Sequence, residues 1–144
     1  MIGHEKHEET QKETFMNFGH INQLCDIVRE TSFALHRYHR NGHMEKIYET
    51  GLAHRLRKQG LDVRQQHPLS VFDEDGTLLG EFFADLFVEN RLIVELKAAR
   101  AVAEEHIAQL LGYLKSSRVE TGLLINFGTP ILHVKKYLMT DPVV

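Results

Sequence analysis

Apolar residues first fall into a regular pattern at Ile21. From there to about Tyr38, Ile21, Leu24, Ile27, Val28, Ala34, Leu35 and Tyr38 recur at spacings of three and four, which predicts an amphipathic helix. Asn41-Gly42 marks its end, and a second helical stretch runs from about His43 to Gln59, where Gly60 supplies a left-handed stop. Beyond Gly60 the period shortens. Leu61-Asp62-Val63, Leu69-Ser70-Val71-Phe72, Leu78 to Val88 and Leu92 to Leu96 are rich in β-branched and aromatic residues. Asp73-Glu74-Asp75-Gly76 and Glu89-Asn90-Arg91 separate them as turns, so this region predicts an antiparallel meander of three strands. A third helix is expected from about Ala103 to Lys115, with Ile107, Leu110, Leu111 and Leu114 on one face, followed by a buried strand from Gly122 to Gly128. Ile131 to Met139 suits helix and strand equally. The order α-α-β-β-β-α-β, without internal repeats, predicts an α/β fold with a mixed central sheet flanked by helices.

Composition narrows the classes. With 42% hydrophobic residues and three prolines among 144, the chain is neither collagenous nor low-complexity. Residues 1–17 are expected to form a disordered acidic tail, since after Ile2 the first fourteen hold four Glu and two Lys and nothing aromatic or aliphatic. Residues 18–144 are then a single domain. His4 and His7 do not complete H-E-x-x-H, because Glu8 stands where the second histidine belongs. One cysteine, Cys25, allows no internal disulfide and suggests a reducing setting. Neither a signal-peptide core nor an apolar run long enough for a membrane is present, so a soluble cytoplasmic protein is expected. Seventeen Lys and Arg against 20 Asp and Glu leave a net charge of -3, which does not announce a polyanion partner.

The informative residues are charges inside apolar strands. Asp85 lies within Phe82-Phe83-Ala84-Asp85-Leu86-Phe87-Val88, and Glu95 and Lys97 within Leu92-Ile93-Val94-Glu95-Leu96-Lys97. Each must face solvent or be compensated, because burying an isolated charge costs several kcal/mol. Glu95 and Lys97 share one face of their strand. With a three-residue loop at Glu89-Asn90-Arg91, Asp85 falls opposite Glu95 and the two carboxylates point the same way. Adjacent acids repel unless a cation joins them. A solvated sheet face with an ordinary Glu95–Lys97 ion pair is the plain alternative. Two helices add polar groups beside apolar stripes. Glu45 precedes Tyr48, Leu52 and Leu56 at a 3-4-4 spacing, and Gln109 and Tyr113 are one turn apart next to Leu110 and Leu114. His36 and His39 are read as helix-end or core residues.

Together these residues resemble a known set. Gly42-His43-Met44-Glu45-Lys46-Ile47-Tyr48 resembles the signature of the GxxExxY protein family, a branch of the PD-(D/E)XK nuclease-like superfamily. Asp85 followed by Glu95-Leu96-Lys97 resembles the superfamily's D...E-x-K core, and Gln109-Leu110-Leu111-Gly112-Tyr113 its Q-x-x-x-Y helix motif. Asn41 and Ala84 stand where the family often has proline, and no acidic, lysine or glutamine position is missing. The resemblance implies a restriction-endonuclease-like core in which Asp85, Glu95 and the Leu96 carbonyl bind Mg2+ or Mn2+ and Glu45 adds a carboxylate. It also implies that Lys97 positions or activates water, while Gln109 and Tyr113 steady the site or the nucleic-acid backbone. Hard oxygen ligands suit those ions.

The function expected is that of a metal-dependent nuclease hydrolysing phosphodiester bonds, with DNA favoured over RNA. The alternatives are a non-catalytic nucleic-acid-binding or accessory module that keeps the fold, and a protein-interaction or toxin–antitoxin type role without nucleic acid. Local basic clusters exist at Arg37, Arg40 and Lys46, at Arg55, Arg57, Lys58 and Arg64, and at Lys115 and Arg118. Such clusters are more often solvated faces than phosphate sites.

Overall fold

In the computed structural model, which describes residues 20–142, two helices lead into the sheet: α1 (Ile21–His39) and α2 (Glu45–Lys58). The acidic N-terminal stretch with His4 and His7 lies outside the described residues. Arg40 and Gly42, both at positive φ, end α1 where the Asn41-Gly42 pair places the stop. α2 begins at Glu45, two residues later than the hydrophobic pattern implies. Tyr48 sets this junction. Its buried hydroxyl donates to the Arg40 carbonyl at 2.5 Å and accepts from the His43 N–H at 3.1 Å, while its ring stacks on Phe127 at 4.6 Å. Tyr48→Phe removes both hydrogen bonds and leaves the Arg40 carbonyl without this donor. We expect urea denaturation to show a loss of about 1–2 kcal/mol.

Strands β1 (Val63–Phe72), β2 (Leu78–Val88) and β3 (Leu92–Lys97) form the predicted antiparallel meander. Helix α3 (Glu104–Ser117) then crosses over to β4 (Thr121–Asn126), which pairs parallel to β3, as a helical crossover permits. The ambiguous Ile131 to Met139 segment contains β5 (His133–Leu138), antiparallel to β4. Among the described residues the result is three helices and a five-stranded mixed sheet in the order α-α-β-β-β-α-β-β, with strands side by side in sequence order. It is a restriction-endonuclease-like α/β fold with one strand more than the hydrophobic pattern predicts.

Strict alternation divides the core. Leu92, Val94 and Leu96 of β3 and Leu123 and Ile125 of β4 pack against α1 and α2 through Leu24, Val28, Leu35, Leu52 and Leu56. Ile93 and Leu124 point the other way, toward Leu110, Leu111 and Leu114 of α3. His36 of α1 is buried, with Nε2 2.9 Å from the Thr129 carbonyl, so its role is structural.

Alternation fails at one level of β1 and β2, and this failure creates the site. Val63, Leu86 and Val88 lie in the α1–α2 core, whereas Leu69, Phe82 and Ala84 lie in the α3 core. In uninterrupted strands Val63 and Leu69 would share a face, as would Ala84 and Leu86. Both strands therefore turn over between those positions. Gln66 takes a left-handed φ of 48°, a conformation that side chains rarely adopt outside glycine. The ladder pairs Gln65 with Leu86 and His67 with Ala84, but not Gln66 with Asp85.

Candidate active site

The β2–β3 turn has the three-residue length that the register argument requires, with Glu89 and Asn90 at φ 53° and 54° and Val88 opposite Leu92. The ladder nevertheless ends at Leu86–Val94, one pair short of Asp85 and Glu95. Simple alternation does not describe Asp85, because it sits where β2 turns over. Its carboxylate reaches across the opened gap, and Oδ2 accepts the Leu96 N–H at 2.8 Å. The strands splay here, and a side chain takes a donor of β3.

Glu95 alternates with Val94 and Leu96, which places it on the α3 face with Lys97. It is 8% exposed, and its Oε1 has no hydrogen-bond partner. Burial pushes its carboxyl up to about 9, the negative charge of Asp85 pushes the same way, and Lys97 pulls more weakly down. A buried carboxylate oxygen without a donor, next to a second carboxylate, is an arrangement that a hard cation would complete. Lys97 is half-buried and forms no ion pair among the described residues. The plain Glu95–Lys97 salt bridge of a solvated sheet face is therefore absent there.

Two residues that sequence reasoning missed hold Asp85. Gln66 donates from Nε2 to Asp85 Oδ1 at 3.1 Å and to Glu49 Oε1 at 2.6 Å. Glu49 is 4% exposed and also accepts from Lys46 at 2.6 Å and from Gln65 at 2.9 Å. Burial opposes its charge, but these donors prevail and hold its carboxyl below the ordinary range. The left-handed turn of β1 thus aims an amide between a buried anion of α2 and the candidate ligand Asp85. Glu49 did carry a signal: with Glu45, Leu52 and Leu56 it makes a 4-3-4 stripe. Gln66 had none.

The other candidates surround this centre more loosely. Glu45 is exposed at the first position of α2. Partial burial raises its carboxyl, Lys97 lowers it, and Asp85 and Glu49 raise it further, so Glu45 feels all three of these charges. Tyr113 stacks on Phe82 at 3.8 Å. Burial and the charges of Glu95 and Asp85 raise its hydroxyl. His106, in the first turn of α3, lowers the Glu45 carboxyl electrostatically and was not singled out by the sequence. Among the described residues no three His, Cys, Asp or Glu side chains converge as a metal cluster. Asp85 and Glu95 act on each other as a pair of carboxyl groups.

Several basic residues serve the fold. Lys46 pairs with Glu49, Arg57 donates to the Val63 carbonyl at 2.7 Å and to Gln65 at 3.1 Å, and Arg64 lies 3.8 Å from Asp62. Two members of the second cluster, Arg57 and Arg64, are thus engaged within the fold.

A mixed sheet with helices on both faces, splayed at an Asp on one strand and a Glu-x-Lys on the next, defines a nuclease-like α/β protein. The family model of the PD-(D/E)XK nuclease superfamily matches residues 22–137, and the chain belongs to that superfamily. No curated protein and no solved structure is similar enough to the chain to count as a match. Among the described residues no helix is long and apolar enough to cross a membrane.

Proposed function

We propose that the protein is a metal-dependent nuclease that hydrolyses DNA phosphodiester bonds, in the GxxExxY branch of its superfamily and in a cytoplasmic setting. The observation that carries this reading is the unpartnered, buried Oε1 of Glu95 beside Asp85. These oxygens and the Leu96 carbonyl would hold Mg2+ or Mn2+, with Glu45 as a further carboxylate of its shell. Such an ion supplies positive charge against the phosphate oxygens and makes water more acidic.

This chain's own residues do the rest. Asp85 and Glu95 fix the position of the ion. The Lys97 ammonium, on the Glu95 face, holds a phosphate oxygen or orients the attacking water. Gln109 and Tyr113, one turn apart on α3, can bind the nucleic-acid backbone. Gln66 and Glu49 are positioning residues. Gln66→Ala should weaken Mn2+ binding by about 10–100-fold, the usual cost of losing an outer partner of a ligand. Calorimetry reads this directly, and an unchanged affinity would remove Gln66 from the account.

Cleavage of plasmid, linear duplex, single-stranded DNA and RNA with Mg2+ or Mn2+ tests the function. We expect DNA cleavage by the wild type that disappears in Glu95→Ala and Lys97→Ala; activity surviving both substitutions would come from elsewhere. The absence of a three-carboxylate cluster among the described residues favours a second reading, a non-catalytic nucleic-acid-binding module. It predicts salt-sensitive DNA binding without metal and no cleavage of any substrate.

A further inference from the structure

One strand away from Glu95 and Lys97 lies a cavity of about 500 Å3, between the loop that follows β3 and strand β5, within the roughly 300–1,000 Å3 of small-molecule sites. Its lining includes Leu124 and Asn126, the β4 partners of Glu95 and Lys97 in the parallel ladder. Paired residues of a parallel ladder share a face, so the cavity opens on the same side of the sheet as the two charged residues. Three basic side chains line it, Arg100, His133 and Lys135, and no Asp or Glu does. All three are exposed, and Lys135 Nζ lies 5.3 Å over the Tyr137 ring. Leu124 and the ring of Tyr137 make its apolar side.

The cavity is built rigidly onto the candidate site. Asn126 accepts the N–H of Ala99 at 3.1 Å and that of Gly128 at 3.0 Å, and donates back to the Ala99 carbonyl at 3.0 Å. The Phe127 N–H holds the Lys97 carbonyl at 2.8 Å. A single latch therefore fixes both Lys97 and the backbone that carries Arg100. A pocket with an apolar wall, a cationic rim and no acid matches an anion joined to a flat, weakly polar ring.

We infer that this cavity is a nucleotide subsite. It takes the base and sugar of the nucleotide adjoining the candidate site against Leu124 and Tyr137, and a phosphate of that unit against Arg100 and Lys135. The choice of a nucleotide rests on the nuclease reading. A base lodged here has left its stack, so single-stranded DNA or a frayed end is the substrate form that fits.

The test is an amide NMR titration with thymidine 5′-monophosphate in EDTA, which needs no turnover, with inorganic phosphate and thymidine as parallel arms. We expect saturable shifts at residues 99–102 and 133–137, with thymidine 5′-monophosphate binding more tightly than either fragment. The Arg100→Ala/Lys135→Ala double variant, altered only at exposed positions, should bind about ten-fold more weakly or worse with an otherwise unchanged spectrum. No saturable shift, or inorganic phosphate binding as tightly as the nucleotide, would overturn the subsite. So would binding lost in Lys97→Ala and kept in the double variant, because the ligand would then sit between the carboxylates. Nucleotide binding at these residues in a protein that cleaves nothing would retain the subsite and remove the nuclease reading.

Discussion

Glu95→Gln should make the metal-free protein more stable while abolishing its activity. In the native state burial, reinforced by Asp85, raises the Glu95 carboxyl to about 9, whereas in the unfolded chain it ionises near its ordinary 4.5. Between those limits the native state binds more protons than the unfolded state, so stability falls as pH rises from about 4.5 and levels off above about 9. The glutamine amide carries no charge to bury and can donate to Asp85, so the variant escapes this fall. Urea denaturation in EDTA should show wild type and variant alike near pH 4.5. By pH 9 the variant should be more stable, by on the order of 2–5 kcal/mol. Cleavage should nevertheless fall by about 10³-fold or more, a loss typical of removing a principal electrostatic group from an active site. A variant less stable than wild type at every pH would show that Glu95 serves the fold.

Gly128→Ala should unseat the strand end on which the site is built. A Cβ at Gly128 would stand 2.2 Å from the Ala99 nitrogen and 2.4 Å from its carbonyl oxygen, and these are backbone atoms that cannot rotate away. The loop after β3 must retreat, breaking the Asn126 latch and the Phe127–Lys97 hydrogen bond. The expected cost is about 2–4 kcal/mol in urea denaturation, the range of serious overpacking with loss of buried hydrogen bonds. Gly112→Ala is the control. Nothing lies within 4 Å of its Cβ, and replacing a helix-interior glycine should gain about 0.5–1 kcal/mol. Equal stability for the two variants would mean that the close approach at Ala99 is not rigid.

The sequence makes the site's charged members visible because they violate apolar runs. Asp85, Glu95 and Lys97 interrupt strands whose other residues are core, and period-2 alternation puts Glu95 and Lys97 where the structure has them. Helix ends were legible where Gly42 and Gly60 take positive φ. What the pattern conceals is the turnover of β1 and β2. Gln65-Gln66-His67-Pro68 reads as a polar interruption between two short strands, yet it is the middle of one ten-residue strand. Its irregularity is a backbone conformation at Gln66 that no propensity favours. Asp85 consequently reaches Leu96 across the gap, when simple register would have set it squarely opposite Glu95. β5 stayed ambiguous because His133, Lys135 and Lys136 remain exposed on an edge strand, leaving little apolar pattern to read. Glu49 was legible only as one more acid on a helix; its burial depends on Gln65 and Gln66 arriving from β1.

A Mn2+ titration by calorimetry at pH 7.5, in two buffers of different ionisation enthalpy, shows whether Asp85 and Glu95 form a cation site. A Glu95 carboxyl protonated in the metal-free protein must lose its proton when an ion binds. Wild-type protein should take up metal with release of about one proton per ion, and Glu95→Gln should lose both the binding and the release. Mn2+ uptake that is the same in Glu95→Gln and independent of buffer would contradict such a site.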